Sequence, residues 1–114
     1  MVKVSLNTND YERSLSLKVE GHAGSNVIGR DLVCASASIL TYTVAQIVSA
    51  MEQDGELEEA LIETNEGDAR ISIRCKTKEA YKEAVHTFFV AETGYKLLEH
   101  NFPQYVELQT VGQA

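Results

Sequence analysis

Cysteine is scarce in this chain, whose 114 residues include only two, Cys34 and Cys75. Two cysteines are too few for a disulfide framework, and in a reducing compartment both are expected to be free thiols. Neither has the paired ligand spacing of a structural zinc site. No glycine loop has the standard phosphate-binding spacing. The sequence therefore predicts neither a bound metal nor a cofactor.

Basic residues are also few, since 10 Lys and Arg stand against 17 Asp and Glu, for a net charge of −7. A nucleic-acid-binding domain needs a basic face, so direct nucleic-acid binding is not expected. An acidic surface suits a basic partner or substrate, although solubility alone is the favoured explanation.

Targeting and membrane segments are not evident in the sequence. The N-terminal residues Met1 to Leu6 alternate like a strand and lack the apolar block of a signal peptide. We identify no apolar run of the roughly 18 residues that a membrane span needs. We therefore expect a cytoplasmic protein with no membrane partner.

Alternating apolar residues predict five strands. Residues 2–6 and 15–19 alternate on either side of a polar turn, which is typical of an antiparallel hairpin. Residues 60–64 and 69–75 flank Asn65-Glu66-Gly67-Asp68, which predicts a second hairpin with a tight glycine turn. Residues 105–108 predict a last short strand.

Two further segments have helical character. From Leu32 to Met51 small and apolar residues lie on nearly all sides, which is typical of a buried helix, and Asp31 is a plausible N-cap. Apolar residues at three- and four-residue spacings predict a second helix from about Tyr81 to Leu98. The element order predicts an α/β (α+β) fold class. A single domain over residues 1–114 would have a largely antiparallel sheet, built from two hairpins and a C-terminal strand, with two helices packed on it.

A histidine and a cysteine share one short segment of the chain. His22 follows the second strand, and Cys34 stands at the expected start of the first helix. A thiol at a helix N-terminus has a lowered pKa, and the backbone amides there can hold an oxyanion. An imidazole in reach can deprotonate the thiol and later protonate a leaving amine. These groups are the minimum apparatus of a cysteine peptidase.

Each of these residues also has a plainer interpretation. A cysteine is often a buried small residue, and a histidine after a strand is more often a surface or supporting residue. Asp31 either caps the helix or orients the imidazole. Ser38, one helical turn after Cys34, either hydrogen-bonds the substrate or allows close packing.

The remaining cysteine and histidines have a weaker case for catalysis. Cys75 is in phase with Ile71 and Ile73 on a strand, so it is expected to face the core and to be inert. His86 is expected to face solvent, and His100 lies near the end of the second helix, where a cation favours the dipole.

The combined pattern Gly21-His22-Ala23-Gly24, Asp31-Leu32-Val33-Cys34-Ala35 and Ser38 resembles the ribosomal-processing cysteine protease family, Prp. The resemblance extends over essentially the whole chain. It implies a bacterial cysteine endopeptidase that removes the N-terminal extension of a large-subunit ribosomal protein, cutting after an aromatic residue. Cys34 matches the nucleophile and His22 the general base and acid, whereas Asp31 and Ser38 match positions whose supporting roles stay open.

The same resemblance implies a homodimer and a flexible loop over the site. Here the loop is residues 24 to 30, with Gly24 and Gly29 permitting the backbone changes that closure over a peptide requires. Two alternatives remain at this stage. One is a non-catalytic acidic module that binds a basic ribosomal partner, and the other is a redox-sensing thiol protein. Thiol reactivity and peptide cleavage distinguish the three.

Overall fold

The computed structural model describes residues 1–21 and 28–113, with the backbone alone for 28–31 and 113. It confirms the predicted order of strands and helices, although most of them are longer than expected. In chain order they are β1 (Val2–Asn9), β2 (Ser14–Glu20), α1 (Ile28–Gln53), β3 (Leu57–Asn65), β4 (Asp68–Cys75), α2 (Lys78–Asn101) and β5 (Val106–Gln113).

The strands form one five-stranded sheet in the order β3-β4-β2-β1-β5. Three of the four neighbouring pairs are antiparallel, and β5 runs parallel to β1. Parallel strands need a long crossover connection, and α2 provides it between β4 and β5. The predicted α+β class with a largely antiparallel sheet is therefore confirmed.

Alternation along the strands divides the sheet into a core face and an open face. The core-facing residues of β1 and β4 include Val4, Leu6, Ile71 and Cys75, all buried beneath the helices. The intervening residues of the same strands are polar and more exposed. Cys75 is only 1% exposed, which confirms that it faces the core.

The tip of the β3–β4 hairpin is fastened to the end of β2. Glu66 and Gly67 connect the two strands, and Gly67 has a φ of 74°. The N–H of Gly21 donates to the Gly67 carbonyl at 2.9 Å. Gly21 itself has a φ of 95°, and a Cβ there would lie 2.3 Å from the Met1 carbonyl oxygen. Only glycine fits this position without a shift of the backbone.

The start of α1 differs from the prediction. The helix begins at Ile28, so Gly29 and Asp31 are helical rather than a loop residue and an N-cap. Glycine in a helix costs only about 1 kcal/mol of helix stability relative to alanine. The hydrogen bonds and packing of the remaining residues of a long helix outweigh this cost. A carboxylate in the first turn is favoured by the helix dipole without acting as a cap. The expected loop of residues 24 to 30 therefore loses its last three residues to α1.

The prediction that α1 is buried on nearly all sides is wrong. Val33, Val44 and Val48 face the core, but Ile39 is 64% exposed and Tyr42 is half-exposed. The sheet and α2 cover only one side of the helix. An apolar outer surface therefore remains uncovered in this chain.

One segment of α1, Leu32–Gln53, is long and apolar enough to cross a membrane by length and composition. This corrects our expectation that no such run exists, because serine, threonine and glutamine do not interrupt the run as charged residues would. A core helix of a soluble protein meets the same criterion, and here α1 packs against α2 and the sheet.

Candidate active site

Cys34 lies in the second turn of α1 and lines a cleft of about 420 Å³. Cys34 as a residue is partly exposed, and it packs in part against the hydrophobic core. One wall of the cleft is the α1 surface that carries Cys34, Ser38 and Tyr42, and the opposite wall is the tip of the β3–β4 hairpin. The size falls within the range of peptide-sized and small-molecule pockets, so a substrate segment can reach the sulfur.

The position of Cys34 within α1 corrects one part of the prediction. It is the seventh residue of the helix, whereas an N-cap at Asp31 would make it the third. Only the first four N–H groups of a helix lack partners inside it. The amide of Cys34 is therefore not available as the expected oxyanion donor, and the helix begins six residues before Cys34, which is more than one and a half turns.

His22 and Gly24 lie outside the described residues, so the expected contact of the imidazole with Cys34 stays a prediction. The structure does describe Gly21, the residue before His22. Gly21 lines the same cleft as Cys34, and its fixed backbone leads directly into His22. The chain therefore enters the histidine segment at the wall of the cleft.

Ser38 and Asp31 differ in what the structure describes. Ser38 lies one turn after Cys34, is exposed, and lines the same cleft. Asp31 is in the first turn of α1, where only its backbone is described. The supporting role of each residue stays a prediction.

A buried polar pair that the sequence did not reveal lies beneath the cleft. Thr41 is 3% exposed, and its Oγ1 donates to the Ala37 carbonyl at 2.7 Å. The Thr41 hydroxyl has one proton, so the Tyr95 hydroxyl, 2.7 Å away, must donate to Thr41. Burial raises the pKa of Tyr95 to about 12, and the hydrogen bond that the Thr41 hydroxyl can donate to the ionised phenolate acts in the opposite direction. A tyrosine in the apolar stripe of α2 was the available signal, because a buried phenol needs a partner.

The described walls of the cleft combine apolar side chains with acidic ones. Val2, Val19 and Ala69 are apolar, whereas Glu66 and Asp68 carry carboxylates at the hairpin tip. No lysine or arginine is among the described lining residues. The cleft is therefore suited to an apolar group flanked by a basic one.

The second cysteine has a different environment. Burial raises the pKa of the Cys75 thiol, the charge of Glu56 raises it further, and Arg13 opposes the shift. A buried neutral thiol is a poor nucleophile. His86 is exposed on α2 as predicted, and His100 is exposed in the last turn of that helix, near its end as predicted. Over the described part of the chain, no three His, Cys, Asp or Glu side chains are grouped to hold a metal ion.

A cysteine in a cleft fits the nucleophile of a cysteine protease, and residues 1–107 match a family of that class. The family is described as Cysteine protease Prp, and the chain belongs to it. The resemblance in the sequence is thereby confirmed, and the protein is a cysteine protease.

Solved structures share the fold over nearly the full chain. SMU.848 from Streptococcus mutans is 24% identical, with a TM-score of 0.69, covering 99% of this chain and 96% of its own. The essential ribosomal processing protease Prp from S. aureus, in complex with a substrate peptide, is 20% identical, with a TM-score of 0.68 and coverage of 96% and 99%. The same protease with a covalently linked product peptide is 21% identical, with a TM-score of 0.67 and coverage of 96% and 99%. A comparison with curated proteins gives no match.

Proposed function

We propose that this protease removes the N-terminal extension of a bacterial large-subunit ribosomal protein during ribosome biogenesis, using Cys34 and His22 as a catalytic dyad. One observation carries the proposal, namely that Cys34 and Gly21, the residue before His22, line one cleft. The S. aureus relative is a ribosomal processing protease that forms a covalent link to its product peptide. Because ribosomes assemble in the bacterial cytoplasm, the proposal includes a cytoplasmic location.

The proposed reaction is acyl transfer through sulfur. His22 takes the proton of the Cys34 thiol, and the thiolate attacks the carbonyl carbon of the scissile peptide bond. Collapse of the tetrahedral intermediate breaks the C–N bond, and His22 gives its proton to the leaving amine. The N-terminal extension then remains on Cys34 as a thioester. Water, deprotonated by His22, hydrolyses the thioester to a free carboxylate and returns the thiol.

The cleft supports cleavage after an aromatic residue. Val2, Val19, Ala37 and Ala69 provide an apolar surface, and the half-exposed ring of Tyr42 stands at the same cleft. An aromatic side chain gains burial against such a surface, and offset ring contact with Tyr42 adds to it.

We also propose a homodimer formed through the outer surface of α1 and α2. The two helices lie side by side, so closely that a Cβ at Gly94 would lie 2.7 Å from the Leu40 side chain. Apart from Tyr42, which lines the cleft, large apolar side chains are exposed on both helices, namely Leu32, Ile39, Ile47, Phe89, Val90 and Leu97. Exposed apolar patches of this kind mark interaction sites. A second copy of the chain presents the same patch, which a two-fold interface requires.

The test of the proposed function is the intact mass of an extended ribosomal-protein precursor after incubation with the enzyme. Wild type and Cys75→Ala should shorten the precursor at its N-terminus, whereas Cys34→Ala and His22→Ala should not. Cys75→Ala is the matched control because that thiol is buried away from the cleft. An unshortened precursor with wild-type enzyme would contradict the proposed substrate.

A further inference from the structure

The hairpin tip opposite Cys34 carries a carboxylate that the proposed mechanism does not use. Asn65, Glu66, Gly67 and Asp68 all line the cleft. Resting on the proposed function, we propose that Glu66 is a specificity-determining residue, which favours a basic side chain close to the scissile bond of the peptide substrate.

The position of Glu66 is fixed from both sides. Its neighbour Gly67 accepts a hydrogen bond from the N–H of Gly21 at 2.9 Å. Asp68 pairs across the sheet with Glu20, and Asn65 pairs with Asp68. The backbone of the hairpin tip is thus tied to the segment that leads into His22. A peptide bound between this tip and α1 passes Glu66 while its carbonyl is near Cys34.

The ion pairing of Glu66 differs from that of its acidic neighbours. Asp68 is paired with Arg70 at 3.3 Å, and Glu20 is paired with Lys18 at 3.5 Å. Glu66 forms no ion pair with any described side chain. Among the described residues, therefore, no basic side chain neutralises Glu66 or lines the cleft that it faces.

The expected size of the preference follows from the exposure of the site. Glu66 is exposed, so water weakens its attraction to a basic side chain. Exposed ion pairs of this kind correspond to roughly 2- to 5-fold in an equilibrium or rate constant. The residue therefore tunes the choice of substrate and does not perform the chemistry.

The experiment compares kcat/KM for peptide pairs that carry Lys or Gln at one position at a time on either side of the scissile bond. Wild type should prefer the Lys peptide by about 2- to 5-fold at one or two positions. Glu66→Gln should bring the ratio close to one, and Glu66→Lys should invert it. Glu63→Gln should keep the wild-type ratio, because Glu63 lies on β3 opposite Arg70, three residues before Glu66, and does not line the cleft.

The outcomes separate this proposal from the proposed function. Equal cleavage of Lys and Gln peptides by wild type, or an unchanged preference in Glu66→Gln, overturns the role of Glu66 while leaving the protease activity in place. Failure of wild type to cut either peptide and the precursor contradicts the proposed function itself. Loss of the preference in Glu63→Gln as well would assign it to the general acidic field and overturn the role of Glu66.

Discussion

Replacement of Thr41 by valine should destabilise the protein through Tyr95 rather than through lost packing. Valine has nearly the shape of threonine, so the α1 surface stays filled. The Tyr95 hydroxyl, however, loses its acceptor in a place where the residue is 0% exposed. A buried hydroxyl without a partner costs about 1–3 kcal/mol in the free energy of unfolding.

The partner substitution has a different expected cost. In Tyr95→Phe the Thr41 hydroxyl still donates to Ala37, so only one neutral hydrogen bond is lost, at about 1 kcal/mol. In the double variant no buried hydroxyl is left without a partner. The double variant should therefore be no less stable than Thr41→Val alone, with a coupling energy of about 1–2 kcal/mol between the two positions.

Urea unfolding with linear extrapolation measures all four proteins of this cycle. The m-values should agree, because the substitutions do not change the surface exposed on unfolding. Additive costs, within about 0.5 kcal/mol, would refute the hydrogen-bond assignment. In that case the floor of the cleft would be held by packing alone.

Four further predictions follow from the same structure. Because the folded-state pKa of Tyr95 is raised to about 12, its contribution to the free energy of unfolding is present below pH 10 and is lost as the pH rises towards 12. Tyr95→Phe should therefore lack a loss of about 3 kcal/mol that the wild type shows over this range. Identical alkaline unfolding profiles of the two proteins would contradict this prediction. Ile39→Glu should give a monomer by light scattering, whereas Leu61→Glu, 47% exposed on the open sheet face, should not change the mass; a dimeric Ile39→Glu would remove the proposed interface. Cleavage of the basic precursor should slow with salt, since screening shortens the Debye length from about 10 Å at 0.1 M to about 3 Å at 1 M; a constant rate would argue against electrostatic steering. Gly21→Ala should cost at least about 1 kcal/mol, because its φ is 95° and the Met1 carbonyl occupies the space of a Cβ; a variant as stable as wild type would contradict this close approach.

Local patterns were sufficient for the order of elements and for the face of each strand. The alternation around Ile71 and Ile73 predicted that Cys75 faces the core, and the structure confirms it. The strand order could not be predicted from the sequence, because β5 pairs with β1 and the two strands lie at opposite ends of the chain. Apolar composition also could not distinguish a core residue from one on an uncovered surface, which is why Ile39 was expected to be buried.

Only part of the candidate site could be predicted, again because sequence patterns report local structure and not long-range pairing. Cys34 and Ser38 were found because their spacing along α1 is local. Glu66 was predicted only as a turn residue, since its approach to the cleft depends on the long-range pairing of β4 with β2. The helix start was misplaced because Asp31 serves equally well as a cap or as a first-turn residue.

The most direct test of the central claim is the mass of the enzyme itself during turnover. Wild-type protein mixed with a peptide spanning the extension and the cleavage site is quenched in acid within the first turnover, digested, and examined by mass spectrometry. If Cys34 is the nucleophile, the extension will be attached as a thioester to the fragment that contains Cys34, with no such adduct on the fragment with Cys75 or in Cys34→Ala. Cleavage of the peptide by Cys34→Ala, or an adduct on any other residue, would contradict the central claim.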